Sequence, residues 1–150
     1  MLRAVGWARS FPVSYGVRAA RHWAREHLET LPWTAEAPDT VDAILVTVSE
    51  LVTNAHIHAR SPAQLVLTWD SRCLHVSVSD EDARLPGPRD PSTSATSGRG
   101  LAIIEALSDT WDAHARHGGK AITACFRPPC GPDPHPDPGP GPGGGQSPAG

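Results

Sequence analysis

The sequence lacks the features that mark secreted, membrane-spanning and zinc-ribbon proteins. Its three cysteines, Cys73, Cys125 and Cys130, show no C-x-x-C spacing, which fits neither a disulfide framework nor a zinc knuckle. No apolar run approaches the roughly 18 residues that a membrane span needs, and the first residues lack the apolar core of a secretion signal. We therefore expect a cytoplasmic protein with no membrane partner.

An excess of basic charge is also missing. The net charge is -3 and 19% of the residues are charged, so no broad positive field disposes the chain to bind nucleic acid directly. The five tryptophans are scattered without interleaved basic residues, and we expect them to pack in the core and at interfaces. No serine stands in a G-x-S-x-G pattern, so hydrolase chemistry is not supported.

The histidines do not suggest a metal site. His56 and His58 are separated by about 200° around a helix axis, which is too far to chelate one ion. His114 and His117 are predicted at strand ends on the surface. We therefore expect no structural zinc.

The chain divides into a folding part and a tail. Residues 128–150 contain 9 prolines and 7 glycines and no large apolar side chain. Such a segment cannot bury enough surface to offset its chain entropy. We predict one domain over residues 1–127 and a disordered tail over 128–150.

Hydrophobic periodicity predicts three helices and four strands in the domain. Asp39 or Thr40 is expected to cap the second helix, and Asp80 to Ser97 is expected to form a long loop. The order of elements predicts an α+β fold, a two-layer sandwich with helices on one face of a mixed, mostly antiparallel sheet. The predicted elements are helix Ser14–Leu28, a helix from residue 39 or 40 through Ala55, strands Gln64–Trp69 and Leu74–Ser79, a glycine loop from Gly98 that opens into a helix ending at Leu107, and strands Thr110–Ala115 and Ala121–Phe126.

Glu50 and Asn54 are four residues apart on the second predicted helix, so their side chains share one helix face. A carboxylate there can orient or deprotonate a hydroxyl, and an amide oxygen can ligate Mg²⁺. A solvated helix face explains an isolated pair equally well. Two elements that follow in the chain support a functional role for Glu50 and Asn54.

The first of these elements is a strand that ends at Asp80, whose carboxylate could accept a hydrogen bond from an exocyclic amine such as that of adenine. The second is Gly98-Arg99-Gly100, expected to be a loop that opens a helix at Leu101. Glycines allow a close approach to phosphate, and the helix start offers free N–H groups. Alternatively, Asp80 is an ordinary aspartate in a turn, and Gly98 and Gly100 belong to a turn that binds no ligand.

Taken together, these segments resemble the GHKL ATP-binding superfamily. SELVTNAHIHA looks like its N-box, and E-L-V-T-N-A-x-x-H-A, V-x-V-x-D, G-R-G-L-x-x-x-x-x-L and G-G-K together are similar to actinobacterial anti-sigma-factor serine/threonine kinases. The similarity spans roughly Phe11 to Arg127. The resemblance implies the Bergerat-type fold and Mg-ATP as ligand. It also implies Glu50 as catalytic base, Asn54 as Mg²⁺ ligand, Asp80 as the adenine-binding residue, and Gly98, Arg99, Gly100 and Leu101 in the ATP lid.

The same resemblance implies protein partners. In this family the kinase phosphorylates a serine of an anti-anti-sigma (STAS-type) protein, and the unphosphorylated partner competes with a sigma factor for the kinase. Related kinases often act as dimers, so a homodimer is compatible with the resemblance. A histidine-kinase fragment is a weaker interpretation, because no phospho-acceptor histidine helix precedes the domain.

Two positions depart from the family pattern. Asp82 stands where the first glycine of D-x-G-x-G is expected, and Ala121 stands where the closing strand often presents a threonine beside the adenine pocket. Extra negative charge from Glu81 and Asp82 would weaken nucleotide binding unless a cation compensates it. These departures keep an alternative open, a non-catalytic module of the same fold that sequesters a sigma factor or its antagonist.

Overall fold

Three α-helices and five β-strands form the part of the chain that the computed structural model describes, residues 4–82 and 95–129. Two 3₁₀ turns and one π-helical turn, Asn54–His58, join some of them. No helix in these ranges is long and apolar enough to cross a membrane. The elements are β1 (Val5–Phe11), α1 (Gly16–Leu28), α2 (Pro38–Thr53), β2 (Ala63–Trp69), β3 (Leu74–Asp80), α3 (Ala95–Leu107), β4 (Thr110–Arg116) and β5 (Gly119–Phe126).

The five strands form one antiparallel sheet in the order β1-β2-β3-β5-β4. Asp70 closes the turn between β2 and β3: its Oδ1 accepts hydrogen bonds from the backbone N–H groups of Arg72 (2.9 Å) and Cys73 (2.8 Å). An aspartate that caps its own turn in this way fixes the register of the hairpin. The predicted sheet is confirmed, and every pairing within the described residues is antiparallel.

The helices pack on one face of this sheet, as predicted. Side chains of a strand alternate between faces, and the buried apolar members of β2 and β3 all lie on the face toward the helices. Helix α2 occupies the centre of the helical layer, in contact with α1, α3, β3 and β5. The innermost side chains, each at most 1% exposed, include Ile44, Val48, Leu51 and Val52 of α2 and Leu65, Leu67, Leu74 and Val76 of the sheet.

Strand β1 is an element that the sequence pattern did not predict. It lies at the edge of the sheet and pairs with β2 from Val5↔Trp69 to Phe11↔Ala63. Five of its seven residues are exposed, so its apolar alternation is weak. Phe11 is nevertheless fully buried and ties the strand to the core.

Two helix starts also differ from the prediction. Helix α2 begins at Pro38 with Ala37 at the N-cap and no side-chain cap, so neither Asp39 nor Thr40 caps it. Proline suits the first helical position because its missing N–H would have no helical partner there. Helix α3 begins at Ala95, so residues 98–100 are helical rather than a loop before the helix. A glycine costs about 1 kcal/mol in a helix, which weakens the helix without ending it.

Two predicted segments fall largely outside the described residues. Residues 83–94 belong to the predicted long loop, and residues 130–150 belong to the predicted tail. Both assignments remain predictions for these residues, but the predicted end of the loop at Ser97 is wrong, because α3 already begins at Ala95.

Candidate functional site

The last turns of α2 carry Glu50 and Asn54, the two residues whose spacing suggested a joint role. Glu50 is half-buried, and Asn54 is 9% exposed. Leu51 and Val52, which lie between them, are anchored in the core and hold this end of the helix in place. Because Glu50 and Asn54 are one helical turn apart, their side chains lie on the same side of a fixed helix.

A π-helical turn begins at Asn54 and ends α2. The carbonyl of Asn54 accepts a hydrogen bond from the N–H of Ala59 at 3.1 Å, which is the wider ring of a π-turn. Such turns are rare and often lie at functional sites. The sequence pattern gave no signal for it, because hydrophobic periodicity does not distinguish one wide turn at a helix end.

Two histidines lie in this π-turn. His56 is buried, and its Nε2 lies 2.8 Å from the carbonyl oxygen of Phe11, so it joins the end of α2 to β1. The Nε2 atom of His58 is also buried, and within residues 4–82 and 95–129 it has no hydrogen-bond partner. A buried polar atom without a partner is costly unless a ligand or another group satisfies it.

Asp80 ends β3 on the face of the sheet that carries the helices. Its side chain is 4% exposed and forms an ion pair with Lys120 of β5, whose Nζ lies 2.9 Å from Oδ2 and 3.1 Å from Oδ1. Oδ1 also accepts the backbone N–H of Asp82 at 2.8 Å. The carboxylate predicted to bind adenine is thus held by a lysine to which the sequence analysis assigned no role.

The register of β3 and β5 explains this pairing. Asp80 is opposite Lys120, and Ser79 is opposite Ala121. Residues directly opposite each other on two antiparallel strands lie on the same face of the sheet, whereas consecutive residues along one strand alternate between the two faces. Lys120 rather than Ala121 therefore faces Asp80, which corrects the expected position of Ala121 beside the adenine pocket.

Glycine at position 119 makes the close approach of β5 to β3 possible. A Cβ atom on Gly119 would lie 1.9 Å from the backbone oxygen of Asp80. The preceding Gly118 has a φ of 77°, a backbone conformation that favours glycine. The turn before β5 therefore also requires glycine at position 118. These two glycines place Lys120 where it meets Asp80.

The connection after α2 meets the end of β3. Ser61 Oγ accepts a hydrogen bond from the backbone N–H of Glu81 at 3.1 Å. This contact lies one residue after Asp80 and shortly after the π-turn. The end of α2 and the end of β3 therefore belong to the same end of the domain.

Glu50 and Asp80 line different cavities. Glu50 lies in a groove of about 720 Å³ between α1 and α2, and Asp80 lies in a smaller cavity of about 180 Å³ at the end of the sheet. The groove is rich in positive charge, and Arg21 donates a hydrogen bond to Ser49 Oγ across it at 3.3 Å. Its charged side chains are Arg18, Arg21, Arg25, Asp42 and Glu50.

For the segment Gly98-Arg99-Gly100, the structure describes the backbone but not the side chains. Gly98, Arg99 and Gly100 have helical backbone in the first half of α3, but the side chain of Arg99 lies outside the described residues. Leu101 is half-buried and packs against the core. The predicted lid role of these four residues stays a prediction.

The available side chains fit Mg-ATP. Asn54 and Glu50 offer hard oxygen donors of the kind that Mg²⁺ takes. Lys120 contacts both carboxylate oxygens of Asp80, so an exocyclic amine would have to share Asp80 with this lysine or displace it. His58 Nε2, which has no hydrogen-bond partner within the described ranges, offers one more polar contact near the end of α2. Lys120 adds positive charge beside Asp80, Glu81 and Asp82, which lessens the repulsion of an anionic ligand.

A comparison with known families agrees with this arrangement. A family model described as the histidine kinase-like ATPase domain matches residues 15–126. No curated protein matches the chain. The match runs from the start of α1 to the end of β5 and so covers Glu50, Asn54, Asp80 and Lys120. The chain therefore belongs to the histidine kinase-like ATPase domain family, within the GHKL superfamily.

Proposed function

We propose that this protein is an ATP-dependent protein serine/threonine kinase of the anti-sigma-factor type, which phosphorylates an anti-anti-sigma (STAS-type) partner and so regulates a sigma factor. The observation that carries the proposal is the pairing of a half-buried Glu50 with a buried Asn54 one turn later, at a π-turn in a histidine kinase-like ATPase domain. The sequence resemblance to anti-sigma-factor kinases supports the finer assignment.

We assign each residue a role that its position supports. Bound Mg-ATP supplies the γ-phosphoryl group that is transferred. Asn54 would ligate the magnesium through its amide oxygen, while Asp80 would accept a hydrogen bond from the adenine amine. Glu50 would orient the acceptor serine and take its proton, because a carboxylate one helical turn from the metal ligand can reach the same substrate.

The groove between α1 and α2 offers a path for the acceptor segment. Glu50 lines this groove, and three arginines of α1 line its opposite wall. Arginine pairs well with carboxylates and phosphates, so this wall favours an acidic segment and a phosphorylated product. The partner's serine would therefore approach Glu50 along α1.

Glu50→Gln tests the catalytic role. We expect the transfer of labelled γ-phosphate to the partner to fall about 100- to 10,000-fold, because a positioned acid or base contributes that much. Mg-ATP affinity, measured by calorimetry, should stay close to that of the unmodified protein. Glu36→Gln is the matched control, since Glu36 is exposed and outside the groove. Full transfer by Glu50→Gln would overturn the mechanism.

One observation favours the second candidate function, a regulatory module without catalysis. Lys120 occupies both oxygens of Asp80, and Glu81 and Asp82 add negative charge near the same strand end. A nucleotide would have to share Asp80 with this lysine or displace it. Under this candidate, sigma factor or antagonist binding needs no ATP.

Calorimetry with Mg-ATP separates the two candidates. Magnesium-dependent binding that is lost in Asn54→Ala supports the kinase. Absent binding, together with a partner complex that forms without nucleotide, supports the regulatory module. Co-purification from the source cell would supply the partner for both measurements.

A further inference from the structure

A cluster of two thiols and one imidazole lies on the sheet face opposite the helices. His75 of β3 and Cys125 of β5 are directly opposite each other in the register. Cys73 immediately precedes β3, and its thiol lies close to both residues. One ligand atom from each of the three residues lies within 4.8 Å of the other two. All three residues are half-buried, and the two cysteines are free thiols.

These separations are close to those of a tetrahedral metal site. Zinc binds thiolate sulfur at about 2.3 Å and imidazole nitrogen at about 2.0–2.1 Å, which places neighbouring ligand atoms about 3.4–3.8 Å apart. Side-chain adjustments of an ångström or less would close the cluster around one ion. Such adjustments are easy at half-buried positions.

Asp70 supplies a support that metal-binding histidines often have. Its Oδ2 lies 3.1 Å from His75 Nε2, so an Nε2–H group can donate to the carboxylate and leave Nδ1 unprotonated for a metal. The backbone N–H groups of Cys73 and Arg72 donate to the other oxygen, Oδ1, at 2.8 and 2.9 Å. These contacts fix the carboxylate behind the imidazole.

Thiolate and imidazole donors select among metals. Two sulfurs and one nitrogen suit zinc, whereas Mg²⁺ takes oxygen ligands. Three protein ligands leave a fourth position, which water can fill. We propose that Cys73, His75 and Cys125 form a zinc site with Asp70 as the hydrogen-bond partner of His75. The site joins β3, β5 and the turn before β3.

The proposal does not depend on nucleotide binding. Asp80 ends β3, whereas Cys73 and His75 lie at its beginning, so zinc and Mg-ATP would occupy opposite ends of the strand. The donors of the two sites are also different. No sequence motif indicates this cluster, because Cys73 and Cys125 are far apart in the chain and only the pairing of β3 with β5 brings them together.

Metal titration of the reduced full-length protein tests the site. The expected result is one Zn²⁺ per chain in competition with a chromophoric chelator. Co²⁺ should give a thiolate-to-cobalt charge-transfer band and the visible bands of a tetrahedral site. Cys73→Ser, Cys125→Ser and His75→Ala should each lose both signals, and Asp70→Asn should weaken zinc binding about 10- to 100-fold.

Matched variants serve as controls. Cys130→Ser removes the third cysteine, and His114→Ala removes an exposed histidine of β4; both should bind zinc as the unmodified protein does. Zinc should raise the unfolding temperature of these controls and leave that of Cys73→Ser and Cys125→Ser unchanged. Circular dichroism checks that every variant is folded.

Two outcomes would overturn the proposal. The first is absence of stoichiometric zinc binding while thiol counting shows all cysteines reduced. The second is zinc binding that persists in folded Cys73→Ser and Cys125→Ser. In that second case, loss of zinc binding in Asn54→Ala would assign the metal to the other end of the strand.

Discussion

The ion pair of Asp80 with Lys120 is held tightly at the end of β3. The two side chains are 4% and 10% exposed, and Lys120 Nζ reaches both carboxylate oxygens. Removing two charges from water costs several kcal/mol per ion, so a buried pair is weak evidence for stability. The ion pair has a more direct effect on the position of Asp80, because Lys120 and the N–H of Asp82 together fix the orientation of its carboxylate.

Lys120→Met leaves the buried carboxylate of Asp80 without its cation. We expect the free energy of unfolding to fall by about 3 kcal/mol, because breaking one side of a buried pair leaves an uncompensated charge. Urea unfolding at neutral pH measures this loss. In Asp80→Asn/Lys120→Met no charge remains buried, so most of the loss should be recovered.

Arg72→Met is the matched control for this prediction, because Arg72 is an exposed cation in the turn before β3. We expect it to change stability by less than about 0.5 kcal/mol. Equal losses in Lys120→Met and Arg72→Met would contradict the importance of the buried pair.

At the level of elements, the entry into β5 depends on the absence of a side chain at Gly119. Gly119→Ala would place a methyl group 1.9 Å from the backbone oxygen of Asp80, where no flexible side chain can yield. We expect a loss of about 3 kcal/mol, at the upper end of overpacking, and a shift of Lys120 away from Asp80. Thermal unfolding measures the loss, and a crystal structure would show the shift.

Gly6→Ala provides the comparison within the same sheet. The nearest atom to its added Cβ is the backbone oxygen of Leu67 at 3.3 Å, and β1 is an edge strand that can move. We expect a change of less than about 1 kcal/mol. A Gly6→Ala loss as large as that of Gly119→Ala would show that strand geometry, rather than the Asp80 contact, sets the cost.

Elements with strong local patterns could be predicted, and those shaped by tertiary contacts could not. The alternation in Leu74, Val76 and Val78 identified β3, because half of the strand faces a core. Strand β1 has little alternation, and its place depends on pairing with β2 and on the burial of Phe11. The start of α3 was wrong because glycines lower helix propensity without preventing a helix.

The same division applies to the candidate site. Glu50 and Asn54 could be predicted to share a face, because helical spacing is a local property. The partner of Asp80 could not be assigned, because Lys120 reaches it only through the register of β3 with β5. A register shifted by one residue would have placed Ala121 opposite Asp80.

For the whole molecule, α2 is the element around which the two layers assemble. It contacts α1 and α3 within the helical layer and β3 and β5 in the sheet. Its inner face supplies much of the core, while its last turns carry Glu50 and Asn54. Loss of packing along α2 should therefore weaken the whole domain rather than one edge of it.

Ile44→Ala tests this dependence. Ile44 is fully buried, so we expect a loss of about 2–5 kcal/mol in the free energy of unfolding, from lost burial and the cavity left behind. Urea unfolding followed by circular dichroism and by tryptophan fluorescence should give coincident curves, because helices and sheet share this core. Val46→Ala, 41% exposed on the same helix, should cost less than about 0.5 kcal/mol. Separate transitions for the two signals would show that the sheet stays folded without the helical layer, and α2 would then not be the centre of one cooperative unit.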